Sequence, residues 1–217
     1  MQEETVTPPD FKEKRSVSIR LWHWSIFIVI AASLITVLIA STLLKSKYNI
    51  STFQNVLLKS GIHINDDQAK ALSRSVSHKL WAWHTYFGYI LSALFIFRIV
   101  LEFFQPSGQK FYTRIKKAYK FLKIPVADPK GMKHYLLVKG IYGLFYVSLV
   151  VMVVSGILLA FADELGILKP TEELIKDIHN FNMYVILVFI GTHLSGVLIA
   201  ELTKHKGITS DMINGGK

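Results

Sequence analysis

The sequence predicts an all-α integral membrane protein, a four-helix bundle with both termini in the cytoplasm, and three observations predict it. Of 217 residues, 51% are hydrophobic and only 18% are charged, against about 25% charged in soluble domains. Four apolar runs each exceed the length needed to cross the hydrocarbon, about 20 helical residues for roughly 30 Å. Lysine and arginine concentrate in alternate connections between those runs, which is the pattern that orients membrane helices.

Residues 1–15 form a polar tail expected to lack structure, and residues 16–217 form the membrane domain. The first run, Leu21 to Leu44, follows Lys12, Lys14, Arg15 and Arg20. It is too long for the core of a signal peptide and reads as a retained anchor. The connection Lys45 to Lys79 is mixed in charge, and Ser51 to Ser77 is expected to hold a short extracytoplasmic helix. The second run is Leu80 to Phe104. The connection after it, Gln105 to His134, carries eight basic residues. Within it, Phe111 to Ile124 alternates apolar groups with lysines, either as a basic amphipathic helix on the inner leaflet or as a solvated basic loop. The third run is Tyr135 to Ala162 and the fourth is Ile178 to Leu202.

Four basic residues precede the first run, eight lie in the middle connection and three follow the last run, against six and two in the other connections. The positive-inside rule therefore places both termini in the cytoplasm. The same distribution accounts for the net charge of +10 without a continuous patch for nucleic acid, so no nucleic-acid partner is expected. No fixed-period repeat points to a solenoid.

The absence of cysteine excludes disulfides, iron–sulfur clusters, thiolate zinc sites and covalent haem attachment through C-x-x-C-H. Histidine carries the chemistry instead. Ionisable groups at membrane depth are costly and are functional candidates by default. His23, His84, His179 and His193 fall within the four runs. Any one of them reads either as a ligand or as a neutral ring hydrogen-bonded across helices. The fourth run adds a pattern. His179 and His193 are 14 residues apart, nearly four whole turns, so both project from one face roughly 21 Å apart along the axis. That stripe suits a bundle holding two planar cofactors one above the other. Imidazole is a standard axial ligand of haem iron, and a second ligand must come from a facing helix. Matching by depth pairs His84 with His179 near the outer face and His23 with His193 near the inner face. The third run contributes no ligand.

Several short pieces now stand in a meaningful order. They are Arg20-Leu21-Trp22-His23-Trp24, then His84-Thr85-Tyr86-Phe87-Gly88-Tyr89 followed by Phe97-Arg98-Ile99, the His179 to His193 spacing, and Ser210-Asp211-Met212-Ile213-Asn214-Gly215. Together they resemble the bacterial cytochrome b561 family, in particular the branch containing the cytochrome b subunits of nickel–iron hydrogenases. The likeness runs from about Ser16 to the C-terminus. It implies four helices in the bacterial inner membrane, two non-covalent haem b groups and electron exchange with membrane quinone. It also supports the four histidine ligands. The reading as a whole expects an extracytoplasmic redox protein or catalytic subunit as partner, with a second copy of the chain as a further candidate.

Arg98 follows His84 by 14 residues and shares its face near the inner leaflet. It pairs there with a propionate of the inner haem or reaches to the lipid headgroups. Arg20 offers a propionate or quinone contact, or an interfacial anchor. Gly88, one turn after His84, provides clearance for a flat ring, whereas the other glycines in the runs suit close helix packing. Met183 reads as packing. Trp22, Trp24, Trp81 and Trp83 read as an interfacial belt.

No general acid, base or nucleophile constellation is present, so the sequence favours electron transfer over hydrolytic or group-transfer chemistry. Three rivals remain: a stand-alone superoxide:quinone oxidoreductase, a haem-free scaffold subunit and a proton-coupled transporter. The last is disfavoured because the acidic residues of the runs, Glu102 and Glu201, lie near inner ends.

Overall fold

The computed structural model describes residues 16–42, 46–104, 129–203 and 207–215, together with Thr113 and Lys116. These residues form helices α1 (Val17–Thr42), α2 (Ser46–Lys59), α3 (Asp66–Phe104), α4 (Pro129–Ala160), α5 (Lys169–Leu202) and α6 (Ile208–Asn214). Helices α1, α3, α4 and α5 are each long and apolar enough to cross a membrane. A helix is the form such runs take, because it satisfies every backbone donor and acceptor without water. The expected polar tail 1–15, nearly all of the basic stretch Phe111 to Ile124, and His205 lie outside the described residues.

The helices extend beyond the apolar runs at their polar ends, and the causes are local. Helix α3 starts at Asp66 rather than Leu80 because Asn65 and Gln68 cap it reciprocally. The Gln68 amide donates to Asn65 Oδ1 at 2.8 Å and the Asn65 amide donates to Gln68 Oε1 at 2.9 Å. This capping box satisfies two donors that a helix start otherwise leaves orphaned. Asp66 and Asp67 add favourable negative charge in the first turn. The connection between the first two spans is therefore α2 followed by the opening turns of α3. Helix α2 ends in a turn closed by Gly61 at φ +78°, with the Ile62 amide bonded to the Leu57 carbonyl at 2.9 Å. Pro129 opens α4 and Pro170 sits in the first turn of α5, where a missing N–H costs nothing.

The described chain divides into two compact units. One is Trp24–Leu94, comprising most of α1, all of α2 and most of α3. Within it Gln54 Nε2 donates to Asp66 Oδ1 at 2.8 Å, tying α2 to the start of α3. Ala69 and Ser73, in the opening turns of α3, are fully buried.

The other unit holds the described parts of Met1–His23 and Phe95–Lys217. Here α4 and α5 form an antiparallel pair joined by a turn in which Gly166 adopts φ +64°. Their contacts run in opposite order along the two helices: Ser155 with His179, Ser148 with Asn182, Phe145 with Phe189 and Tyr142 with His193. Leu149 and Ile186 are buried at this seam, while Phe103 and Phe104 are 75% and 82% exposed. Apolar surface turned outward on this scale suits a lipid medium. The short α6 is held at both ends. Glu201 accepts the amides of Gly207 at 2.8 Å and Thr209 at 3.3 Å. Arg20 Nη1 donates to the Ile213 carbonyl at 2.7 Å. Gly215 lies so close to that guanidinium that an added Cβ would sit 3.1 Å from Arg20 Cζ.

Candidate functional site

His23 lies in the second turn of α1, which begins at Val17, and His193 lies on α5 ahead of its end at Leu202. The two imidazole centres are 6.2 Å apart with their planes at 61°. His193 stacks on Phe189 at 5.7 Å and 6°, and Phe189 stacks on Phe145 at 4.4 Å. Tyr142 meets the His193 ring edge-on at 6.4 Å. Phe189 supports the ring from its own helix, and Phe145 and Tyr142 back it from α4. The separation of the two histidines can be tested against a shared metal. A metal–imidazole bond of about 2 Å, with roughly 1 Å more from the nitrogen to the ring centre, gives about 6 Å when doubled. Two imidazoles on opposite sides of one ion stand at that distance. Haem iron, which takes one imidazole on each face, fits this pair.

His179 and His84 are each held through Nδ1 by a hydroxyl of another helix. On α5, His179 Nδ1 lies 2.8 Å from Ser155 Oγ of α4. Gly156 lies beside the same ring: an added Cβ would stand 3.4 Å from His179 Cε1, in ordinary van der Waals contact. In the unit Trp24–Leu94, His84 Nδ1 lies 3.1 Å from Thr36 Oγ1 and 3.2 Å from Ser33 Oγ, both on α1. Trp81 meets the His84 ring edge-on at 5.5 Å. Such bonds across helices are one of the two readings open to any single intramembrane histidine. They engage Nδ1 of each ring. Gly88, one turn further along α3, borders open space: an added Cβ would meet nothing within 4 Å.

Arg98 is buried, with 9% exposure. Its Nη1 pairs with Glu102 Oε2 at 3.0 Å and its Nε donates to the Tyr146 hydroxyl at 3.2 Å. The guanidinium carbon stands 5.7 Å from the ring centres of both Trp22 and Tyr146, which stack on each other at 6.3 Å. Cation–π attraction and a charge-assisted bond together stabilise the buried cation. Trp22, expected in an interfacial belt, is instead buried in this cluster, whereas Trp81 and Trp83 are 47% and 57% exposed.

The sequence matches the family described as prokaryotic cytochrome b561 over residues 14–215. The chain belongs to that family. No curated protein and no solved structure matches it. Membership, with four helices long and apolar enough to span, makes it an integral membrane b-type cytochrome of transmembrane electron transfer.

In this cytochrome b561, His23 and His193 are brought together within one unit, as are Arg98 and Trp22, the neighbour of His23 in sequence. His84 belongs to one unit and His179 to the other. Arg20 reaches the C-terminal segment rather than any histidine. Sequence reasoning missed Ser33, Thr36, Ser155, Tyr146 and Asn182. Asn182 is buried and donates through Nδ2 to the Ser148 carbonyl at 2.8 Å, joining α5 to α4. A signal for these was present, because polar side chains inside apolar runs must find partners. Ser33 and Thr36 also fall three residues apart, on the face of one helix.

Proposed function

We propose that this cytochrome carries electrons across the bacterial inner membrane on two non-covalent haem b groups, between membrane quinone and an extracytoplasmic redox protein. The separation of His23 and His193, 6.2 Å between ring centres, is the observation that carries the reading. These two histidines would hold the inner haem. His84 and His179 would hold the outer one, a pairing that rests on their matched depth in the sequence. When bound, the haem supplies a reversible one-electron iron couple.

The residues of the chain bind, orient and tune. The imidazoles would serve as neutral donors. Gly88, one turn after His84 and bordering open space, would give a flat ring clearance. Arg98, 5.7 Å from the Trp22 ring and paired with Glu102, would be the candidate partner of a haem propionate. The surrounding apolar side chains keep water away and strengthen every charge interaction. The distribution of lysine and arginine supports both termini in the cytoplasm, which would put the connection containing α2 on the outer side.

The deciding experiment is a visible spectrum with redox titration of the purified wild type and of His23→Ala, His84→Ala, His179→Ala and His193→Ala. Two haems in the wild type and one in each variant are expected. Loss of the same haem in His179→Ala and His193→Ala would overturn the pairing. A wild type without a Soret band would overturn the function.

A further inference from the structure

We infer that Ser155 and Thr36 are positioning residues, each accepting the Nδ1–H of a histidine so that the opposite nitrogen, Nε2, is presented to iron. The inference rests on the proposed bis-histidine ligation and adds to it the groups that orient two of the ligands.

The proton count decides the roles. A serine or threonine hydroxyl has one proton to donate and lone pairs to accept with. Ser155 Oγ gives its proton to the Val151 carbonyl of its own helix at 2.6 Å, with a longer contact of 3.3 Å to the Met152 carbonyl. Its oxygen therefore meets His179 Nδ1, 2.8 Å away, with a lone pair. Two lone pairs at that distance repel, so the proton sits on Nδ1. The arrangement around His84 follows the same logic. Thr36 Oγ1 donates to the Ser33 carbonyl at 2.6 Å and so turns a lone pair toward His84 Nδ1 at 3.1 Å. With the proton placed on Nδ1 by Thr36, Ser33 Oγ at 3.2 Å accepts from it as well. In a neutral imidazole protonated at Nδ1, the other nitrogen carries the lone pair a metal requires.

Both hydroxyls come from a helix other than that of the histidine, so each bond also fixes the rotation of the ring. The back-bond to the helix's own carbonyl is a known habit of serine and threonine within helices. Here it has a chemical consequence, because it turns the hydroxyl into an obligatory acceptor. Accepting from Nδ1–H makes Nε2 a stronger donor, which favours ferric over ferrous iron. Removing the hydroxyl should therefore shift the midpoint potential of the attached haem upward. Loss of such outer partners typically weakens metal retention by about 10–100-fold.

The test is optical redox titration, with electron paramagnetic resonance of the ferric state, on purified Ser155→Ala, Ser155→Thr, Thr36→Val and Thr36→Ser. The Ala and Val variants are expected to move one haem to higher potential and alter its g values. The Thr and Ser variants, which keep a hydroxyl, are expected to restore wild-type behaviour. A haem lost from Ser155→Ala but retained in Ser155→Thr supports the inference equally, since the hydroxyl separates the two. Wild-type potentials for both haems in Ser155→Ala and Thr36→Val overturn the inference and leave the electron-transfer reading intact. Equal haem loss in Ser155→Ala and Ser155→Thr also overturns it. A wild type that binds no haem overturns the reading beneath it.

Discussion

His23 and His193 belong to the first and last long helices of the chain, yet their ring centres lie 6.2 Å apart with planes at 61°. The approach is possible because α1 begins at Val17, before the apolar run, so His23 is already in regular helix. On α5, stacking on Phe189 at 5.7 Å fixes the partner ring. A separation of about 6 Å is what two imidazoles on one metal ion would have. It is also within the range of ordinary aromatic packing, so the haem content of variants at these two positions is what separates the two.

The first prediction concerns haem content. His23→Ala and His193→Ala should each lower it from two haems per chain to one, and the double variant should also retain one. A pyridine haemochrome assay on purified protein measures this directly. A double variant empty of haem would mean that the two rings serve different sites.

Arg98 and Glu102 should act on potential with opposite signs. Arg98→Ala removes a buried positive charge that favours the reduced state, so the haem at His23 should become harder to reduce. Glu102→Gln should make it easier to reduce. Each change is on the order of 1 kcal/mol at an effective dielectric near 20, and the second haem should be unaffected. Potentiometric titration reads both. Identical titration curves for all three proteins would remove Arg98 from the haem environment.

Asn182 should matter for stability and not for the cofactor. Asn182→Ala deletes the buried bond to the Ser148 carbonyl, a loss of about 1 kcal/mol. Thermal unfolding in detergent should fall by roughly 2–4 °C, with haem content unchanged.

The link between Arg20 and the C-terminal segment predicts local protection. Arg20→Ala removes a charge-assisted bond to the Ile213 carbonyl, and Gly215→Val forces a side chain against the guanidinium at a position with φ +86°. Either change should expose α6 to limited proteolysis, at a rate raised roughly tenfold for a bond of about 1.5 kcal/mol. Peptide mapping of the cleavage site identifies the released segment. An unchanged rate would show that α6 is held by Glu201 alone.

The sequence by itself determined the four spanning runs, the histidines within them and the shared face of His179 and His193, because residues on one helix are related by its fixed 100° step. The ion pair of Arg98 with Glu102, four residues apart, and the capping box of Asn65 with Gln68 are local in the same way. The sequence reading assigned neither: it gave Arg98 a propionate or the lipid headgroups. Only the tertiary structure decided that His23 meets His193, that Trp22 and Tyr146 enclose Arg98, and that Ser155 and Thr36 face His179 and His84. Those relationships join different helices, and the rotation of one helix about its axis and its slide along a neighbour are set by how their side chains pack. No periodicity within a single run encodes either quantity.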